Sequence, residues 1–156
     1  MEVMPNQLLH SEMLDRLREI ARHADAKTKL PFETVQLLKD NCPHYDWVGI
    51  YSLESDDELV LGPFLGKPSP HTRIKVGAGI CGAAVREENT IIVDDVNSDS
   101  RYLACSLETK SEIVVPIFKD GRVVGELDID SHTPAAFTDQ DRRFLEEVCR
   151  ILAAAY

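Results

Sequence analysis

The chain reads as an α+β domain: a central, mostly antiparallel sheet of about six strands with helices packed mainly on one face. Residues 111–131, SEIVVPIFKDGRVVGELDIDS, are two runs rich in Val and Ile around an Asp120-Gly121 reversal, the pattern of a β-hairpin. Amphipathic helical spacing brackets the chain at residues 7–24 and 139–155. Between those ends, short apolar runs at 46–54, 59–66, 73–76 and 90–93 are separated by turn residues and are too short for helices.

With 156 residues, the chain is expected to form one domain, residues 1–43 supplying N-terminal helices and 44–156 the sheet-bearing core. A formal net charge of -10 argues against nucleic acid or an anionic membrane as partner, since both would repel it. The N-terminus lacks a basic segment followed by an apolar core, and no apolar run approaches ~18 residues, so a cytoplasmic location is expected. There the four cysteines, Cys42, Cys81, Cys105 and Cys149, would rest reduced, without a disulfide framework. No C-x-x-C occurs, and no metal site and no bound cofactor are expected.

In chain order, Leu9, Met13, Leu17, Ile20 and Ala24 fall on one stripe of the first helix, a stripe equally suited to the core or to a twin chain in a homodimer. A turn over 27–31 should lead to a second helix at 32–38, ending near Asn41-Cys42-Pro43. The first strand alternates Trp47, Gly49, Tyr51 and Leu53 on one side with Val48, Ile50 and Ser52 on the other. Gly49 between two rings leaves a notch suited to a small ligand carrying a methyl or a cation; the alternative is that both rings are core. Residues 67–71 form a Pro-rich loop.

Residues 77–85, GAGICGAAV, read as a turn feeding a short helix, where the dipole at the N-terminus favours a thiolate at Cys81. The third glycine of a dinucleotide fingerprint is missing. The long loop at 94–110, holding Cys105, has the length of a functional loop. Thr138 is placed to cap the last helix, and Cys149 and Cys42 read as structural.

The hairpin register decides what its outer face carries. A two-residue Asp120-Gly121 loop would set Glu112 opposite Ile129 and mix the faces. A three-residue Lys119-Asp120-Gly121 loop pairs Val114 with Glu126 and Glu112 with Asp128, gathering Ile113, Val115, Ile117, Val123, Gly125, Leu127 and Ile129 on one face. The three-residue loop is therefore expected, with Glu112, Glu126, Asp128 and Asp130 sharing the other face. Like charges placed opposite one another destabilise a sheet by up to ~1 kcal/mol. A solvated face tolerates that; a buried one needs a retained proton or a cation.

Six segments stand out together: Trp47-Val48-Gly49-Ile50-Tyr51, Leu61-Gly62-Pro63-Phe64 with Gly66-Lys67-Pro68, Gly79-Ile80-Cys81-Gly82, Ala104-Cys105, Ser111-Glu112-Ile113-Val114-Val115-Pro116 and Leu127-Asp128-Ile129-Asp130-Ser131. By these segments the chain resembles the GAF domain family over roughly residues 45–150, and within it the free methionine-(R)-sulfoxide reductases. The resemblance implies Cys105 as catalytic thiol and Cys81 as resolving thiol. It further implies that Glu112, Asp128 and Asp130 hold the ammonium of a free amino acid while Trp47 and Tyr51 wall its methyl sulfoxide end. The implied reductant is thioredoxin or another dithiol. The family's third cysteine, in the loop before Thr72-Arg73-Ile74, is absent, which leaves Cys81 and Cys105 as the pair. The alternative is a non-catalytic GAF module that binds another small metabolite or senses redox state through its thiols.

Overall fold

In the computed structural model the described residues are 5–103 and 107–156, the first four of them by backbone alone. Six strands form one sheet: β1 (Trp47–Ser55), β2 (Glu58–Leu65), β3 (Arg73–Lys75), β4 (Ile91–Val93), β5 (Ser111–Lys119) and β6 (Arg122–Ser131). Their order is β3-β2-β1-β6-β5-β4, with each neighbouring pair antiparallel. The sheet thus places β1 and β6 at its centre, where neighbours cover both edges.

Helices α1 (Pro5–Ala21), α2 (Ala26–Asn41) and α4 (Asp139–Leu152) pack on one face. Their core joins Met13 and Leu17 from α1, Leu30 and Leu38 from α2, and Phe144, Leu145 and Val148 from α4 to Ile113, Val115, Ile117, Leu127 and Ile129 of the hairpin. The opposite face carries a second, smaller core under α3 (Gly79–Glu87), formed by Trp47, Tyr51, Leu59, Ile74, Ile80, Cys81, Ala84 and Val114. The expected α+β architecture is what the chain adopts.

Two local expectations are corrected. The second helix begins at Ala26, so residues 27–31 are helical and Pro31 lies inside it. Proline there forfeits one backbone bond, but Leu30, Thr34, Val35 and Leu38 are all buried, and that burial outweighs the loss.

The hairpin turn is the two-residue loop, with Lys119 opposite Arg122 and positive φ at both Asp120 (52°) and Gly121 (77°). A bulge between Ile117/Phe118 and Gly125/Val123 then adds one residue, so Glu112 pairs with Asp130 and Val114 with Asp128. The pairing therefore differs from the expected one by two residues, and a shift of two preserves the faces. At the bulge the two valines exchange sides, Val123 joining the core under α3 and Val124 the helix-side core.

Candidate functional site

The site is built on the face of the sheet that α3 covers. Directly paired residues on antiparallel strands point the same way. Trp47 stands opposite Asp130, Gly49 opposite Asp128 and Tyr51 opposite Glu126 across β1 and β6. On the far side of β6, Glu112 of β5 stands opposite Asp130. A row of three acidic side chains is thus flanked by rings on one side and by a fourth carboxyl on the other. Helix α3 lowers Cys81 onto that row: its thiol and a carboxylate oxygen each from Glu112 and Asp128 lie within 4.8 Å of one another.

Helix α3 can come this close because Gly82 has no side chain. A Cβ there would stand 2.5 Å from the Lys75 carbonyl oxygen and 2.7 Å from the Gly77 nitrogen. Leu103, from the loop after β4, packs over Gly79 and joins His71, Ile74, Ile80 and Tyr51 in closing the hollow. The free volume left is about 10 Å3, close to the space of one water molecule.

None of the four carboxyls is a solvated surface group: Glu126 is fully buried, and Glu112, Asp128 and Asp130 are 4%, 2% and 3% exposed. Burial pushes Glu126, Asp128 and Asp130 above the usual carboxylate range, and at Asp130 the neighbouring Asp128 adds to it. Glu112 hydrogen-bonds to the Asp128 and Asp130 carboxyls, which partly offsets their burial. Two carboxyls can share a hydrogen bond only if one retains a proton. Both Glu126 oxygens and one oxygen each of Asp128 and Asp130 are buried without a hydrogen-bond partner. Contact with the Cys81 thiol offsets part of the burial at Glu126 and at Asp128.

Cys81 behaves contrary to the sequence expectation. It lies in the first turn of α3, yet its thiol is pushed well up by burial and by Asp128, Glu126 and Glu112. The loss of water, with the acidic neighbours adding to it, outweighs a partial dipole that is worth ~1 kcal/mol at a helix end. The resting form is the neutral thiol.

The notch at Gly49 is also corrected. The Trp47 ring folds over that glycine, so that a Cβ would stand 2.3 Å from the ring edge. Trp47 stacks on Phe64 at 5.8 Å and donates from Nε1 to the Lys67 carbonyl at 2.9 Å. Gly49 thus makes room for a ring and leaves no empty position. Tyr51, fully buried, lies 6.5 Å from Trp47 and donates its hydroxyl to the His71 carbonyl at 2.7 Å.

Cys81, Glu112, Asp128 and Tyr51 converge on the hollow. Asp130 and Trp47 adjoin it as the next pair along β6 and β1. Cys105 lies outside the described residues. Two contributors were not singled out from sequence, His71 and Leu103, which belong to loops with no periodicity to place them. Glu126 was read onto the acidic face, where the structure has it. Cys42 and Cys149 are buried in the helix-side core, and burial raises both thiols, Cys42 to about 12.

A row of buried acids beside a thiol, on the covered face of one six-stranded sheet, marks the class of this α+β domain. The profile of the GAF domain family matches residues 32–156, and the chain belongs to that family. Over 115 residues it is 41% identical to the free methionine-R-sulfoxide reductase of Escherichia coli (strain K12), covering 74% of this chain and 68% of that one. It is also 42% identical over 109 residues to GAF domain-containing protein A of Dictyostelium discoideum, covering 70% of this chain and 68% of the relative. Among solved structures, free methionine-R-sulfoxide reductase from Neisseria meningitidis in complex with its substrate superposes with a TM-score of 0.90 at 35% identity. That superposition covers 99% of this chain and 94% of the other.

Proposed function

We propose that the protein reduces free methionine-(R)-sulfoxide to methionine. The observation that carries this reading is the buried juxtaposition of Cys81 with Glu112 and Asp128, joined to likeness with enzymes of that name in sequence and structure. Uncompensated carboxyls in a closed hollow favour a guest with an ammonium group, which a free amino acid has and a methionine within a protein chain lacks. The guest displaces His71 and Leu103 from the mouth, because the hollow as it stands holds about one water.

In this reading Cys105, two residues beyond Leu103 in the sequence, is the attacking thiol. As thiolate it attacks the sulfoxide sulfur. A carboxyl of Glu112 or Asp128 protonates the oxygen. The oxygen and the oxidation pass to Cys105, which becomes a sulfenic acid as methionine leaves. Cys81 gives up its proton to a neighbouring carboxylate and attacks the sulfenic sulfur, releasing water and forming a disulfide. Thioredoxin or another dithiol then reduces the pair, and is itself oxidised to a disulfide. The neutral resting state of Cys81 suits a thiol that must wait for its partner to be oxidised.

The experiment is turnover of free methionine-(R)-sulfoxide with dithiothreitol, reading methionine formed. Replacement of Cys105 by Ser is expected to abolish it, and Asp128→Asn to raise KM by about tenfold or more, the loss of one charge-assisted contact. Undiminished turnover by Cys105→Ser contradicts the reading. Likeness to GAF domain-containing protein A, whose name carries no activity, favours a second reading, a metabolite-binding module. That reading requires tight binding of a guest without any change at the thiols.

A further inference from the structure

We propose that the hollow under α3 is a binding site for a thiophilic divalent cation of the Zn2+ class, held by the Cys81 thiolate with the Glu112 and Asp128 carboxylates. The three groups come from three separate elements, α3, β5 and β6, and their ligating atoms already lie within 4.8 Å of one another. A tetrahedral zinc shell with bonds of about 2.0–2.3 Å needs ligand atoms roughly 3.5 Å apart. Side-chain rotation of about an ångström closes that difference.

A second observation, the state of the buried carboxylate oxygens, points to a cation at the same place. One oxygen of Asp128 is buried without a partner, and one oxygen of Asp130 and both of Glu126 stand in the same condition on the neighbouring positions of β6. Uncompensated buried oxygens are costly, and a cation beside them removes the cost. Asp130 and Glu126 would form the layer of negative groups behind the first ligands.

The donor set selects the ion. One sulfur with two oxygens favours Zn2+ or Cd2+ over Mg2+ and Ca2+, which take oxygen alone. Size selects in the same direction. A free volume of about 10 Å3 admits one bare ion, whereas Mg2+ keeps several waters. Access lies past His71 and Leu103, the more exposed members of the lining. Binding releases the Cys81 proton and any proton that Glu112 and Asp128 share, so affinity rises with pH. The site uses the same hollow as the proposed reductase chemistry, but its occupancy is read without turnover. An ion there ties up Cys81 and fills the acid row, and so excludes an amino-acid guest.

The test is titration of the full, reduced chain, freed of reductant, with Cd2+, followed by the ultraviolet thiolate-to-cadmium charge-transfer band and with Zn2+ as competitor. One ion per chain is expected, displaced by Zn2+ and not by a hundredfold excess of Mg2+. The band should persist in Cys105→Ser and Cys42→Ser and weaken at least tenfold in Cys81→Ser and Asp128→Asn. Because Cys81→Ser could impair folding, the wild-type chain is also alkylated with iodoacetamide and mapped by peptide mass. Zn2+ should slow labelling of Cys81 at least tenfold. Absence of the band, a band undiminished in Cys81→Ser, its loss only in Cys105→Ser, or labelling of Cys81 unaffected by Zn2+ overturns the proposal.

Discussion

Glu126 shows what a single buried carboxyl does to the whole chain. It has no exposed surface, and burial followed by the charge of Asp128 raises its pKa well above the ordinary value. The folded chain therefore holds this proton more tightly than the unfolded chain does. Stability is then greatest below the ordinary carboxylate range and falls as pH rises from there towards the raised folded value. Replacing Glu126 by Gln keeps the shape and removes the titration. The variant is expected to melt higher than wild type at pH 8 and to show a smaller gain at pH 5, as thermal denaturation at both pH values would reveal.

Gly49 makes an opposite point, since its importance lies in what is missing. Gly49→Ala puts a methyl into the Trp47 ring and is expected to cost about 1–3 kcal/mol, the range for an overpacked core; denaturant unfolding measures it. From sequence, Gly49 between two rings looked like a gap for a ligand. The spacing could not reveal that Trp47 folds back along its own strand, because that rotamer is set by Phe64 and the Lys67 carbonyl from β2 and the loop beyond it.

At the scale of elements, α4 is anchored at its first turn. Thr138 accepts from the Asp141 amide, and the Asp141 carboxylate accepts from the Thr138 amide, closing a capping box. The same carboxylate accepts the buried Tyr45 hydroxyl at 2.5 Å, tying the helix to the chain before β1. Asp141→Ala is expected to destabilise by roughly 2–4 kcal/mol, combining a lost cap with an orphaned buried hydroxyl. Thr138→Ala should cost only about 1 kcal/mol, and the two unfolding midpoints distinguish the cap from the tie.

Cap and helix were both legible, since Thr138 precedes two aspartates and a clear apolar stripe. The hairpin was legible in its faces and not in its register. Asp-Gly turn chemistry favours the two-residue loop that forms, and the compensating bulge near Val124 has no local signature distinct from its Val-Val-Gly surroundings. The start of α2 was hidden for the converse reason: Pro31 signals a break, while the burial of Leu30 and Thr34 that overrides it is a tertiary fact.

Across the whole molecule, one sheet separates two cores of different character. The helix side is apolar throughout its hairpin surface, whereas the side under α3 mixes rings with carboxyls and a thiol. Period-two alternation in LDID and in VGIY placed the acids and rings on that second side before any coordinates. What sequence could not supply was their depth. Charged residues are ordinarily on the surface; among the described residues, α3, with Leu103 from one loop and His71 from another, makes this face interior. Exposed ion pairs join the loops that carry His71 and Leu103. Glu108 pairs with Lys67 at 2.7 Å and approaches His132 at 3.5 Å, linking the loops after β2, before β5 and after β6. None of the described helices is long and apolar enough to cross a membrane.

In the proposed reaction the acid row takes up a small ammonium-bearing sulfoxide and presents it to a pair of thiols. Its most direct test is to expose the fully reduced chain, without any external reductant, to free methionine-(R)-sulfoxide or to the S epimer, and to map cysteine linkages by peptide mass spectrometry. One disulfide, Cys81 to Cys105, is expected with about one methionine released per chain for the R epimer, and unchanged thiols for the S epimer. Thiols left free with both epimers, or a disulfide formed equally with both, would contradict it.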